Sequence, residues 1–374
     1  MEFSTFIAVS ITLILMLSGF YFLFRIELCK DYNLELEYPK VSIIIPARNE
    51  ENTIGKILTS INNQKFKVEE VIVVNDSSTD TTKEIALNFN AKVIDSNQLP
   101  TDWKGKPWAC WQGAHNAKGD VLFFLDADTY VEPGGLKKII ETYNYYNKLE
   151  ANKNGVVLSV APYHTVFKFY EEFSSLFNII MVGSMNAFTP FKNNQPTGLF
   201  GQSLILSKKN YFEIGGHSSV KNKILENVFM ASLFNSKGIT LKCLGGKGTL
   251  SFRMYPDGFN LLINGWTKAF ATGAGQTPFF SLLLIILWIS SGFIISINLI
   301  IEILAGNSLL IWLSLYLGFV LQLRWMLKKI GNFKLIPTII FPINLLFYVI
   351  VFIRSLYFQI TNKSISWKSR EVRN

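Results

Sequence analysis

The sequence predicts an α/β domain of the Rossmann-like kind, with a mostly parallel sheet, set between transmembrane helices at both ends of the chain. Three observations carry that expectation. From Val41 onward, short apolar runs alternate with stretches whose apolar residues recur at helical spacing. Two of those runs, 71–74 and 121–125, lead into acidic residues, Asp76 and Asp126. Both ends of the 374-residue chain are nearly all apolar, while the middle has the composition of a soluble domain.

Residues 41–45 (Val-Ser-Ile-Ile-Ile) are the first predicted strand, stopped by Pro46, which has no N–H to donate. Ile54, Ile57, Leu58 and Ile61 mark an amphipathic helix. Residues 71–74 form the second strand, and Thr79 or Asp80 can cap the helix after it. A short third strand covers 91–94. Pro107 opens a helix that runs to about Lys118. Residues 121–125 form the central strand and 156–160 another, with polar loops at 147–154 and 192–197. The alternation, with room for right-handed crossovers, is a doubly wound pattern. No GxGxxG follows the first strand, and GxxxxGK[ST] and GxSxG are both missing. Those gaps argue against a dinucleotide oxidoreductase, a P-loop NTPase and an acyl hydrolase.

Residues 5–24 are an uninterrupted apolar stretch, about the ~20 residues a spanning helix needs. Glu2 stands where a signal peptide has a basic start, and no small-x-small cleavage site follows, so a retained anchor is expected. Further candidate spans are 279–301, then 309–323 with Arg324 placed to snorkel, then 335–353. Pro337 and Pro342 predict a kinked or re-entrant last segment. Arg25 and Lys30 after the first span, and Arg324, Lys328, Lys329 and Lys334 later, place the central domain in the cytoplasm. The loop 302–307 has no Lys or Arg and is expected outside. A fourth crossing would carry Arg354, Lys363, Lys368, Arg370 and Arg373 outward, so one C-terminal segment is expected not to cross.

The expected division is an anchor (1–30), a catalytic domain (38–256), an interfacial segment (257–278), membrane segments (279–358) and a basic cytoplasmic tail (359–374). The interfacial segment carries Phe259, Leu262, Ile263, Trp266 and Phe270 at helical spacing. The whole reads as a multi-pass protein of the cell membrane. Net charge is +9, from 36 basic and 27 acidic residues, which suits a juxtamembrane surface facing anionic lipid. No dense basic run interleaves with aromatics, so no nucleic-acid partner is expected. Cys29, Cys110 and Cys243 form no CxxC pair, and His115, His164 and His217 are scattered, so neither a disulfide framework nor a zinc site is indicated.

The acid-tipped strands carry the chemistry. Asp126-Ala127-Asp128 closes one apolar run, and Asn75-Asp76-Ser77-Ser78-Thr79-Asp80 closes the other. Carboxylates at the carboxyl ends of neighbouring strands can hold a divalent cation against the diphosphate of a nucleotide sugar. The bland reading of each acid is a turn or helix cap. Lys106, before a proline-started helix, reads either as a nucleotide contact or as a solvated lysine.

These residues resemble family 2 glycosyltransferases. Pro46-Ala47-Arg48-Asn49-Glu50, the Asn75–Asp80 run, Gly105-Lys106 and Asp126-Ala127-Asp128 stand in that family's order. Gly201-Gln202, Gly215-Gly216-His217, Glu226, Arg253-Met254-Tyr255, Gly265-Trp266-Thr267-Lys268 and Thr272-Gly273-Ala274-Gly275 extend the match over roughly 41–277. The set is most similar to the membrane-anchored branch acting on isoprenoid-type acceptors. The resemblance implies a GT-A fold, a UDP-sugar donor and inversion at the anomeric carbon. It implies that Pro46 and Ala47 line the base, that Asp76 accepts from the uracil N3–H, and that Asp126 faces the ribose or the metal. Asp128 would ligate Mg²⁺ or Mn²⁺. Glu50, Lys106, Arg253 and Lys268 fall on the donor side, His217 and Trp266 on the acceptor side.

Glu226 is the family's candidate base. Ile224, Leu225, Val228 and Phe229 around it read as one buried helix face, where a desolvated carboxylate can accept a proton. Asn227 stands where the family often has a second acid, which suits an acceptor that is already ionised. The polymer-synthase pattern QxxRW, aligned on Trp266, meets Leu262 and Gly265, which argues against processive synthesis. The resemblance thus implies a hexosyltransferase that moves glucose from UDP to the carboxylate of an apolar C30 carotenoid acid, in the lipid bilayer. Its rivals are transfer to polyprenyl phosphate or a lipid alcohol, and a non-catalytic membrane scaffold.

Overall fold

The computed structural model describes all residues except 1–2, 33–37, 151–152, 192–194, 224, 362, 368–369 and 374. Ile224 therefore lies outside the described residues, as does part of each polar loop expected at 147–154 and 192–197. In chain order the strands of the central domain are β1 (Val41–Ala47), β2 (Glu70–Asn75), β3 (Lys92–Asp95), β4 (Val121–Leu125), β5 (Thr129–Val131), β6 (Val156–Ala161), β7 (Tyr163–His164), β8 (Ser203–Ser207), β9 (Thr240–Gly245) and β10 (Leu250–Phe252). Seven of them form one sheet in the order β3-β2-β1-β4-β8-β6-β9, and β5-β10-β7 form a small second sheet. The pairs β1–β2, β2–β3, β1–β4 and β6–β9 are parallel, as the doubly wound pattern requires. β8 runs antiparallel to both of its neighbours.

Strand order turns at β1: β2 and β3 build outward on one side, β4 starts the other. Open α/β sheets bind ligands outside the carboxyl ends of the strands at such a switch point. The chain there is Ala47 and Arg48 after β1, and Asp126 after β4.

The helices of the domain are α2 (Ile54–Asn62), α3 (Thr82–Asn88), α4 (Gly105–Asn116), α5 (Gly135–Leu149), α6 (Ser175–Ser184), α7 (Lys208–Glu213) and α8 (Glu226–Ser236); α1 (Phe3–Leu17) precedes them. The period-2 alternation of the strands sorts their side chains onto two faces. Ile43, Ile45, Val73, Phe123 and Leu125 join the buried face of α2 and α5. Ile44, Val74, Leu122 and Phe124 join a second cluster with α4, α6 and α8. All four residues expected on the α2 face are buried.

Some boundaries depart from expectation. β1 continues through Pro46, because its pairing with β4 ends at Ile44 and no ladder donor is asked of the proline. α4 starts at Gly105, so Lys106 lies in its first turn; a proline is tolerated there because early helical N–H groups have no intrahelical partner. α5 extends through Leu149 into the stretch expected to be a loop.

The C-terminal helices are α9 (Phe259–Gln276), α10 (Phe279–Ala305), α11 (Leu310–Ile330), α12 (Ile336–Ile339) and α13 (Phe341–Ile360), followed by strands β11 (Ser364–Trp367) and β12 (Arg370–Arg373). α10, α11 and α13 are long and apolar enough to cross a membrane. The break foreseen in the last segment falls at its start, between α12 and α13, leaving α13 as a helix of 20 residues. Residues 302–305, expected in a loop, finish α10, whose left-handed C-cap is Gly306. The expected N-terminal span is a 15-residue α-helix followed by a 3-10 turn at Ser18–Tyr21. The C-terminal tail forms the antiparallel β11–β12 pair, with β11 beside α9.

The membrane-type helices are not a separate body. Trp288, Phe319 and Leu345 belong to the same apolar cluster as Ile44 and Val74 of the sheet. α6 makes the join: α9, α10, α11 and α13 all pack against it. α13 runs beside α9 in the same direction, with Phe347 stacked on Phe259, Arg354 Nη2 donating to Asn264 Oδ1 and Ser355 Oγ donating to Thr267 O.

Candidate active site

The loops after β1 and β2 are laced together. Asp76 N donates to Ala47 O at 2.8 Å, and Arg48 Nη1 donates to the carbonyls of Asp76 (2.7 Å) and Ser77 (3.0 Å). Asn49 and Ser77 adopt left-handed φ values of 51° and 52°, so both chains turn sharply as they leave the sheet. Asp76 and Ala47 are buried, Pro46 half-buried. Glu50 takes part in the scaffold of this corner: its N–H donates to Thr82 Oγ1, and its Oε2 accepts from Thr53 Oγ1, both at 2.7 Å. Asp80 lies in the turn ahead of α3, whose N-cap is Thr81 rather than the expected Thr79 or Asp80, with Oδ1 accepting from Thr82 N at 3.0 Å. Here the bland reading of that acid describes its contacts.

The turn after β4 is fixed by backbone bonds. Asp126 N donates to Gln202 O at 3.1 Å, and Asp126 O accepts from Thr129 N and Oγ1. The Asp126 carboxylate meets Lys106 from the first turn of α4. Lys106 Nζ makes three contacts: 2.7 Å to Asp126 Oδ1, 3.2 Å to Glu226 Oε1 and 2.9 Å to Gly201 O. The Gly201 contact is a hydrogen bond and the two carboxylate contacts are ion pairs, so one ammonium serves all three groups. Burial alone would lower the Lys106 pKa, but the carboxylates of Asp126 and Glu226 overcome it and hold the group well above its ordinary value.

Glu226 is the first residue of α8, where a carboxylate also faces the positive end of the helix. Its side chain is 7% exposed, against 34% for Lys106. Asn227 Nδ2 adds a second donor to Oε1 at 3.2 Å. The buried face of α8 differs from the expected one. Glu226, Asn227, Met230, Ala231 and Phe234 are buried, while Leu225, Val228 and Phe229 are half-buried, because the helix begins at Glu226 and turns its first polar pair inward. Gly201 permits the convergence: a Cβ there would lie 3.0 Å from Asn227 Nδ2 and 3.7 Å from Lys106 Nζ.

Asp128 is half-buried, and its charge, after burial, contributes to raising the pKa of the Tyr255 phenol. Tyr255 in turn explains Gly265. A Cβ at 265 would come within 2.2 Å of the Tyr255 ring, so the position aligned with the polymer-synthase arginine has no room for a side chain. This pairing was invisible in the sequence, where Gly265 signalled only a missing arginine.

Three expected site residues are tied up in packing. His217 is 2% exposed, bonded through Nδ1 to the Tyr211 hydroxyl at 2.8 Å and edge-on to Phe124. Burial, then the Lys106 charge, pushes its pKa down to about 3, so it stays neutral near pH 7. Trp266 stacks on Phe177 and donates through Nε1 to Ser174 Oγ, 5% exposed. Arg253 Nη2 donates to the wholly buried Glu171 at 2.6 Å and lies over the Phe167 ring. Lys268 is half-buried on α9. Glu171 escaped the sequence reading because its partner stands 82 residues away.

α9 reaches the site itself. Gly273 presents its missing Cβ position 3.7 Å from Leu225 Cδ1, one residue before Glu226. Among the described residues no group of three or more His, Cys, Asp or Glu side chains is arranged to hold a metal. The chain offers two carboxylates in the Asp126-Ala127-Asp128 turn. That donor set fits a Mg²⁺- or Mn²⁺-type cation, which takes one or two protein carboxylates and completes its shell with phosphate oxygens and water.

Comparison with known proteins identifies the family and the fold. A profile of the glycosyl transferase family 2 domain matches residues 42–229. The 4,4'-diaponeurosporenoate glycosyltransferase of Staphylococcus aureus strain N315 is 33% identical over 346 residues, covering 91% of this chain and 90% of the relative. The protein of the same name from strain MRSA252 has the same identity and coverage. Among solved structures, a mannosyltransferase from Pyrobaculum calidifontis in complex with GDP-Man and Mn²⁺ superposes with a TM-score of 0.55 at 14% identity, over 94% of this chain and 99% of that one. The switch-point crevice, the acid-tipped strands and these matches have one reading: the fold is GT-A, and the chain belongs to glycosyltransferase family 2.

Proposed function

We propose that the protein transfers a glucosyl group from UDP-glucose to the carboxylate of an apolar C30 carotenoid acid, with inversion, at the cytoplasmic face of the cell membrane. The observation that carries the reading is the bridge through Lys106. Asp126 on the donor side and Glu226 on the acceptor side contact the same ammonium, so the two chemistries meet within two ion pairs. The acceptor class is supported by the 33% identity to enzymes named for diaponeurosporenoate.

The backbone of Pro46 and Ala47 and the carboxylate of Asp76 line the uracil. Asp126 and Asp128 would hold Mg²⁺ or Mn²⁺, which would supply Lewis-acid assistance to the departing diphosphate. Lys106 adds positive charge beside it. The acceptor carboxylate oxygen bonds to the anomeric carbon as the bond from that carbon to the diphosphate oxygen breaks, giving UDP and a glycosyl ester. A carboxylate brings no proton, so none has to be removed. Glu226, with Lys106 and Asn227 already on Oε1, then orients the acceptor rather than deprotonating it.

A lipid acceptor approaches along α9, which ends beside Leu225 and leads into α10. The exposed residues of α13, Ile343, Leu346, Ile350, Ile353, Tyr357 and Ile360, fall on one stripe, as expected of a lipid-facing side. Because α13 runs alongside α9, it can share the plane of that interfacial helix. The basic residues after Arg354 then stay on the cytoplasmic side.

Expression in a host that makes the carotenoid acid tests the proposal by pigment mass. The wild type adds one hexose, released by mild base as an ester; Asp128→Ala adds none. A product stable to mild base turns the reading towards polyprenyl phosphate or an alcohol. Unchanged pigment in Asp128→Ala rejects the metal role.

A further inference from the structure

Lys106 Nζ already occupies Asp126 Oδ1, one of the two carboxylates of the Asp126-Ala127-Asp128 turn. We propose that Lys106 is a positioning residue that competes with the divalent cation for Asp126 and thereby couples donor loading to the freedom of Glu226. The inference rests on the donor-site reading above.

The geometry gives the coupling. The ammonium pairs with both Asp126 and Glu226 while donating to the Gly201 carbonyl, so a move towards one carboxylate takes it from the other. Its single positive charge is shared between two negative ones. A divalent cation at Asp126 takes over that half of the charge balance. Lys106 is then left to Glu226 and Gly201, or to the donor diphosphate. The side chain has the access for this: it is 34% exposed, whereas Glu226 is 7% exposed and fixed at the start of α8. The moving part is therefore the lysine. Gly201 keeps the corner open, since a Cβ there would press on Asn227 Nδ2 at 3.0 Å and lie in contact with Lys106 Nζ at 3.7 Å.

The test uses the full-length protein in detergent, with Mn²⁺ alone as probe, followed by calorimetry or by the electron paramagnetic resonance of free Mn²⁺. Lys106→Met is expected to bind Mn²⁺ about five-fold more tightly than wild type, because a competing charge near the surface is gone. Equal or weaker binding by the variant, with the wild type still binding, overturns the competition alone. If neither protein takes up Mn²⁺ even with UDP, the donor-site reading falls and the competition with it. Thermal unfolding gives an independent check. Lys106→Met melts below wild type, Mn²⁺ raises its melting temperature by more degrees than it raises the wild type's, and Glu226→Gln added to Lys106→Met recovers part of the loss. No recovery in the double variant overturns the shared-charge arrangement.

Discussion

Asp76 and Asp126 stand at the ends of parallel strands, whereas Glu226 and Trp266 stand on helices, and the two pairs are held in place differently. The strand-end acids take their positions from the sheet register: Ala47 lies opposite Asn75, and Ile44 opposite Phe124, so the backbone delivers both acids to one crevice. The helix-borne residues take theirs from side chains. Glu226 depends on Lys106 and Asn227, and Trp266 on Phe177 and Ser174. Substitutions on the strand side should therefore separate chemistry from folding, and those on the helix side should mix them.

The largest expected effect is on the strand side. Asp128→Ala should cut transfer at least about 100-fold, the loss typical of removing transition-state charge stabilisation, with a melting temperature close to wild type. A large drop in melting temperature would erase the contrast. Lys106→Met touches both halves. It leaves a nearly buried Glu226 charge without its ammonium, which costs about 3–5 kcal/mol for a fully buried pair, so about 2–3 kcal/mol is expected where the lysine is a third exposed. Denaturant unfolding measures it, and transfer should fall in parallel.

The buried imidazoles give the next effect. His217 and His164 are held at pKa values of about 3 and about 4, chiefly by burial, while the unfolded chain protonates near 6.5. The folded state binds fewer protons in that window. Stability is therefore whole above about 6.5 and declines as pH falls towards 4 and then 3. At pH 5 each histidine should cost about 2 kcal/mol relative to pH 7.5. His217→Gln should flatten its share of that acid limb; an unchanged limb would place the loss elsewhere. Gly265→Ala should cost about 1–3 kcal/mol through overpacking against Tyr255, read as a lower melting temperature.

The same contrast sets what the sequence could disclose. The strands β1 to β4 and the acids that follow them were legible because alternation and turn chemistry are local. β8 was not, although Ser203–Ser207 is apolar at its centre: its antiparallel place between β4 and β6 depends on partners far along the chain. The Glu226 face was misread for a related reason. Periodicity assigned Leu225, Val228 and Phe229 to the buried side, yet the helix turns Glu226 and Asn227 inward to meet Lys106 from α4. Arg253 looked like a donor contact, and only the fold reveals Glu171 beside it. Charges read singly along a chain do not show which of them neutralise each other.

The smallest effect expected is also the one that discriminates most. Glu226→Gln keeps the shape of the side chain and removes one charge from the Lys106 cluster. If the acceptor is a carboxylic acid, ionised at neutral pH, no proton has to be taken in the displacement, and transfer should fall less than about 10-fold, well short of the 10²–10⁴ that general-base catalysis contributes. The residual change would come from a looser Lys106. An alcohol acceptor predicts the larger loss, because its proton must go to Glu226 in the transition state. Measuring the variant with a carotenoid acid and with the corresponding alcohol in one membrane preparation turns the comparison between strand and helix into a comparison between substrates. The acid should tolerate the glutamine and the alcohol should not; equal sensitivity of the two would mean that Glu226 acts by position alone.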